Sequence, residues 1–219
     1  MSLSELWSLY GQNYIDALLA TWGMTLESFA IAMMLAVAVT VMRVSPLKPL
    51  RVFGDLYVQV FRNIPGIALL IIVVYALPPL KVVLPYRTCV IVATVLLGSA
   101  FGSENFMSGI NTVGVGQVEA ARSLGMSFSR ILAKIVIPQA LRSSVLPMTN
   151  LFIAVMLTTA LGSQVPLKPQ ELTGVVSYIN TRSLGGVAAF FISALGYLGT
   201  AFVVSHIGNY IDKKARILR

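Results

Sequence analysis

The sequence predicts an all-α membrane protein whose chain crosses the bilayer five times. Three observations predict it. Of the 219 residues 57% are hydrophobic, and the mean hydropathy of +0.83 is far above that of a water-soluble domain of this size. The charged residues, 11% of the chain, gather in short clusters and leave long stretches between them uncharged, the pattern a bilayer imposes. The apolar runs are continuous and lack the strict alternation of a membrane β-strand. In hydrocarbon every backbone group must be satisfied internally, so helices remain.

A crossing needs ~20 residues of helix, because the hydrocarbon core is ~30 Å thick and a helix rises 1.5 Å per residue. The first span is expected at 17–42, with Glu27 its only charge, and the second at 53–80, with Arg62 and Pro65 near its start. The third, 88–106, is the shortest. The fourth, 143–166, lies in the uncharged stretch between Arg142 and Lys168, and the fifth, 184–211, between Arg182 and Asp212. Together they make residues 1–219 a single transmembrane domain. The first sixteen residues carry Glu5 and Asp16 and no Lys or Arg, the opposite of a cleavable signal peptide, so the N-terminus is expected to be retained.

Loop charge sets the orientation. Arg43, Lys48, Arg51 and Arg62 flank the first connection, Arg122, Arg130, Lys134 and Arg142 the third, and Lys213, Lys214, Arg216 and Arg219 form the tail. With five spans these regions share one side and hold twelve of the 16 Lys and Arg, against Lys81, Arg87, Lys168 and Arg182 on the other. The positive-inside rule then places the N-terminus outside and the C-terminus in the cytoplasm.

The net charge of +8 does not point to nucleic acid, since the basic residues flank apolar spans instead of forming a stripe with interleaved aromatics. Membrane lipids and a cytoplasmic partner account for them better. Cys89 is the only cysteine, which excludes an internal disulfide and a Cys-based metal cluster. One histidine, His206, and the absence of HExxH and GxSxG patterns leave no catalytic residues and no metal site to expect. No phosphate-binding GxxxxGK[ST] loop is present, so any ATP is hydrolysed elsewhere.

The third connection, 109–142, reads as two short helices joined by a turn. The first is centred on Val118, Glu119, Ala120 and Ala121 and ends at Gly125, the residue that most easily takes a left-handed conformation. Ser127 is placed to cap the second. There Phe128, Ile131, Leu132 and Ile135 follow the i, i+3, i+4, i+7 rule, with Arg130 and Lys134 opposite, and Pro138 marks its end or a kink. Such a rigid hairpin at the mouth of a bundle is suited to transmitting force.

The run Glu119-Ala120-Ala121-Arg122-Ser123-Leu124-Gly125, followed by Ile137-Pro138-Gln139-Ala140, resembles the EAA loop of bacterial ATP-binding cassette (ABC) importer permeases. Arg43-Val44-Ser45-Pro46, Phe61-Arg62-Asn63-Ile64-Pro65 and Ser108-Gly109-Ile110-Asn111-Thr112-Val113 extend the likeness over most of the chain. Together they look like the polar amino acid permeases of the histidine, glutamine and glutamate type, and most like actinobacterial glutamate permease subunits. The resemblance implies a type I ABC importer permease fold in a bacterial cell membrane. It also implies that Glu119, Ala120, Ala121, Ser123 and Gly125 dock into a separate cytoplasmic ATPase, which binds the ATP and Mg; this chain itself holds no cofactor. The further partners implied are a second permease and an extracytoplasmic binding protein for a polar amino acid, glutamate first, with glutamine or aspartate next. The rival is a secondary transporter driven by an ion gradient, which typically shows an internal repeat; the five spans contain none.

Ionisable groups in membrane segments are costly, so each is a candidate. The candidate substrate path comprises Arg62, Asn63, Glu104, Asn150, Thr158 and Thr159. Arg62 is read either as an interhelical pair or as a substrate contact, Glu104 as the partner of a cytoplasmic-side Arg or as a coupling residue, and Glu27 as a path or headgroup residue. Asn150, Thr158 and Thr159 suit a zwitterionic ligand or interhelical hydrogen bonds. Where such permeases often carry Lys before a Thr pair, this chain has Leu157. That gap motivates a heterodimer in which the other permease supplies most of the substrate contacts. Gly98 and Gly102 form a GxxxG pair.

Overall fold

The computed structural model describes residues 2–182 and 186–215. The expected start of the fifth span at 184, the tail residues Arg216 and Arg219, and the domain limits 1 and 219 lie outside the described residues.

Helix α1 (Leu3–Val44) is 42 residues long, about 63 Å at 1.5 Å per residue, so it begins well before the expected position 17. Its start is fixed by a capping box: Ser2 N donates to Glu5 Oε2 at 2.8 Å and Glu5 N to Ser2 Oγ at 3.3 Å. Glu5 is therefore part of a helix N-terminus, where negative charge is favoured.

The expected continuous span 53–80 is instead two helices bent by 102°. Helix α2 (Lys48–Asn63) starts with Pro49 in its first turn and stops where Pro65 forces Ile64 into an extended conformation, φ −83° and ψ 128°. Helix α3 (Gly66–Ile71) restarts at once and runs on through a π-helical stretch, Ile72–Ala76, and a short 3₁₀ turn, Pro78–Leu80. Pro65 stands between an amphipathic helix and an apolar one, so the break falls where the character of the chain changes.

Helix α4 (Tyr86–Asn111) packs along α1 through the GxxxG pair. A Cβ added at Gly98 meets Ala32 Cβ at 3.2 Å, and one at Gly102 meets Ala36 Cβ at 2.8 Å. Small residues on both helices let the backbones close up. At the end of α4 come α5 (Val115–Ser123), α6 (Phe128–Ile131), a π-helical stretch Leu132–Val136 and α7 (Ile137–Ser143). Helix α8 (Val145–Thr158), extended by a 3₁₀ segment to Gln164, is tied to α4 where Asn105 Nδ2 donates to the Pro147 carbonyl at 3.1 Å. A short helix α9 (Leu172–Asn180) precedes α10 (Gly186–Ala215).

Among the described residues, Leu3–Val44, Tyr86–Asn111, Val145–Gln164 and Gly186–Ala215 are each long and apolar enough to cross a membrane. The bent pair passes the same test only as a unit. Among the described residues, three apolar clusters hold the fold. One joins α1, α3 and α4 around Met24, Leu70 and Val90, and a second joins the start of α1 to α9 and α10 around Leu6, Tyr14 and Ile179. The third, around Ala121, Ile131 and Val136, belongs to the hairpin after α4.

Gly102→Val is expected to destabilise by about 1–3 kcal/mol, because Ala36 has no flexible end to give way. Gly199→Ala, in open space on α10, is expected to leave the thermal midpoint of the detergent-solubilised protein unchanged or raised.

Candidate functional site

The break at Pro65 opens a cavity of about 590 Å³ between α2, α3, α4 and α8, within the size range of small-molecule sites. Arg62, Thr158 and Gln164 are its polar lining, set among apolar residues such as Leu97, Phe101 and Leu157. Arg62 reaches it because it is the last charged residue before α2 ends. Thr158 sits where α8 tightens from α-helix to 3₁₀, donating to the Ala154 carbonyl at 2.8 Å.

Beside the cavity lies a chain of charges linking three helices. Arg43 Nε donates to Asp55 Oδ1 at 2.8 Å, and Arg43 Nη1 to Glu104 Oε2 at 3.2 Å. Arg62 Nη1 lies 3.2 Å from the same Glu104 oxygen, and its guanidinium carbon 5.4 Å from the centre of the Phe101 ring. Ser103 Oγ adds hydrogen bonds with Arg43 and Thr40. The Arg43 side chain is only 11% exposed against 36% for Arg62, so Arg43 is the better shielded of the two. Arg62 thus belongs both to the interhelical network and to the cavity wall.

The remaining sequence candidates are spread out. Asn63 is exposed and donates to the Gln59 carbonyl at 2.6 Å. Thr159 is fully buried and donates to the Met156 carbonyl at 2.6 Å, and Asn150 is exposed on α8 away from the cavity lining. Glu27 is paired with Arg87 at 2.7 Å, tying α1 to the start of α4.

The hairpin after α4 closes its first arm with a Schellman motif. Met126 N donates to the Ala121 carbonyl at 3.1 Å and Gly125 N to the Arg122 carbonyl at 2.9 Å, with Gly125 at φ +74°. Glycine is demanded there, since a side chain is strained at that φ. Ser127 occupies the N-cap position of the second arm, but its side chain makes no capping hydrogen bond; its carbonyl accepts from Ile131 N instead. The second arm does not end at Pro138. The preceding π-helical turns shift the hydrogen-bond register ahead of it, and the helix continues to Ser143. Gln139 Nε2 donates to Gln117 Oε1 at 2.6 Å, bracing the arms. Ala121 faces the hairpin core, whereas Glu119, Ala120, Ser123 and Gly125 are exposed. Leu124 at 82% and Phe128 at 53% exposure present apolar surface beside them.

Residues 28–217 match the model of a family described as the binding-protein-dependent transport system inner membrane component. The chain belongs to this permease family. The match takes in most of the helical bundle, with the cavity and the hairpin. Relatives of this permease include the glutamate transport system permease protein GluC of Corynebacterium efficiens, 33% identical over 90% of this chain and 91% of that one. The L-cystine transport system permease protein TcyB of Bacillus subtilis is 31% identical over 95% and 90%. A crystal structure of an amino acid ABC transporter with histidines superposes with a TM-score of 0.91 over 98% and 99% of the two chains at 24% identity, a likeness of fold.

Glu171 of the permease escapes the sequence reading. It is fully buried as the N-cap of α9, where its carboxylate accepts from Thr173 N and Gly174 N, both at 2.6 Å, and from Tyr197 Oη at 2.9 Å. Burial pushes its carboxyl above the usual carboxylate range against the pull of those hydrogen bonds. The signal that could have found it is an acid one residue before an apolar run, Leu172–Asn180.

Arg43→Met is expected to cost about 2 kcal/mol, because it strips a shielded donor from two carboxylates. Arg62→Met, at a more exposed pair, is expected to cost under about 1 kcal/mol. Thermal unfolding of the two variants in detergent ranks them.

Proposed function

We propose that this chain is the permease subunit of an ATP-driven importer for a polar amino acid, with glutamate the first substrate to test and glutamine or aspartate next. Membership of the inner membrane component family makes it a membrane transport subunit, not an enzyme. The single observation that carries the coupling role is the braced hairpin that exposes Glu119, Ala120, Ser123 and Gly125 beside uncovered Leu124 and Phe128. A surface of that kind fits the groove of a cytoplasmic ATPase. ATP and Mg are bound by that partner, and an extracytoplasmic binding protein delivers the substrate.

The orientation follows from charge: five spans, N-terminus outside, C-terminus and the 109–142 hairpin in the cytoplasm. In this arrangement the cavity beside Pro65 is the substrate path. Arg62 is its cation for a carboxylate, and Thr158 and Gln164 are its uncharged hydrogen-bonding groups. Asn63, Glu104, Asn150 and Thr159 act around the path rather than on its wall. The glutamate and cystine transport relatives support an amino acid as cargo. Leu157, on the cavity wall where a lysine is common in such permeases, supports a heterodimer whose other permease supplies the second set of polar contacts.

Rigid-body coupling works because the Schellman turn and the Gln117–Gln139 bridge prevent the hairpin from flexing locally. Displacement of its tip is then passed to α4 and α8. Gly125→Pro removes the Gly125 N–H bond and cannot adopt φ +74°, and Glu119→Lys reverses an exposed charge. Both are expected to insert normally yet uncouple hydrolysis from uptake, read as ATPase activity of the reconstituted complex that loaded binding protein no longer stimulates. Full transport in both variants rejects the coupling role. A transporting complex built from this chain and its ATPase alone rejects the heterodimer.

A further inference from the structure

The transport reading uses only the last residues of α2 and leaves the rest of the helix without a role. Around its axis Lys48, Arg51, Asp55, Gln59 and Arg62 share one side. Phe53, Leu56 and Val60 form another, and they are 61%, 59% and 41% exposed. A third, narrow side carries Gly54 and Val58, buried against the bundle.

Two contacts fix how the helix is rolled. Arg62 on the charged side pairs with Glu104, while Tyr57 Oη sits 2.7 Å from Ser99 Oγ. Ser99 is five residues farther than Glu104 from the Asn111 end of α4, about 7.5 Å deeper into the bundle. The charged side therefore faces the end of the bundle where α1 and α4 terminate, and the Tyr57 side faces its middle. The 102° bend at Pro65 lays α2 across that end instead of along the crossing helices. A helix with a charged roof and an apolar floor in that position matches the boundary between headgroups and acyl chains.

The charges say which lipid. Asp55, the acid of this helix, is bound by Arg43. Lys48 and Arg51 are exposed, and among the described residues neither has a carboxylate within ion-pairing distance. We propose that α2 is an interfacial helix that rests Phe53, Leu56 and Val60 in the acyl chains of the adjoining leaflet and holds anionic phospholipid phosphates with Lys48 and Arg51. The cytoplasmic placement is needed only to name the leaflet.

The test uses the assembled complex carrying Cys89→Ala and one cysteine at Leu56, Val60 or Gln59, labelled with an environment-sensitive fluorophore. It is reconstituted in vesicles of phosphatidylcholine and phosphatidylglycerol with one or the other lipid brominated on its chains. Labels at Leu56 and Val60 are expected to be quenched by brominated chains, by at least about twofold more for phosphatidylglycerol than for phosphatidylcholine. The label at Gln59 is expected to be quenched by aqueous iodide. Lys48→Gln with Arg51→Gln abolishes the phosphatidylglycerol preference and leaves quenching by phosphatidylcholine. Iodide quenching at Leu56 and Val60 overturns the proposal, as does shielding of both from every quencher with cross-linking of Leu56→Cys to the second permease. Equal quenching by the two brominated lipids overturns the headgroup assignment. Impermeant thiol labelling of Gly116→Cys from outside intact cells would overturn the orientation and the importer reading while leaving the lipid result standing.

Discussion

A peptide group inside hydrocarbon has no water to bond with, and the layout of this chain follows from that constraint. Long uninterrupted helices satisfy it directly, as in α1, α4 and α10. Some departures from regular helix lie where another partner is at hand. The bend at Ile64 and Pro65 opens onto the cavity between α2, α3, α4 and α8, and the 3₁₀ turns after Thr158 border the same space. The free amides at the start of α9 are taken by the buried Glu171 carboxylate. Irregular backbone and candidate path coincide at Pro65, where the bend leaves room between α2, α3, α4 and α8.

The charge network has a related logic. Breaking a helix beside a cavity leaves the two halves free to pivot, and Arg43, Asp55, Glu104 and Arg62 tie the first half to α1 and α4. Arg43 is shielded and serves two carboxylates, so it acts as the fixed point; Arg62, more exposed, is the member that also meets the cavity. One cation thereby couples the position of α2 to the electrostatics of the proposed path.

Features set by neighbouring residues are legible in the sequence. The hairpin after α4 is readable because Gly125 and the 3.6-residue rhythm of its arms are close together in the chain, and the uncharged stretches announce α8 and α10. Arg62 and Glu104 are recognisable as candidates from the cost of charge in apolar surroundings. The network that Arg43 and Asp55 form with them is not, because pairing across some sixty residues depends on how α1 closes on α4. The break in the second span is missed because the apolar face of 53–63 reads as part of the span, although Asp55, Gln59, Arg62 and Asn63 already set that stretch apart from the apolar run after Pro65. Helix α9 is hidden by its length, nine residues being too few to stand out against the apolar run that follows. Ser127 has the right residue type for a cap, but its backbone carbonyl, not its hydroxyl, accepts the hydrogen bond that starts the helix.

The length of α1 has a mechanical consequence. At about 63 Å it is roughly twice the thickness of the hydrocarbon, and it carries the contacts with α4 along one half and with α9 and α10 along the other. An unbroken helix of this kind carries a displacement at one end along its whole length. A small tilt near Arg43 reappears at Leu6 and Tyr14 as a sideways shift that grows with the distance between them.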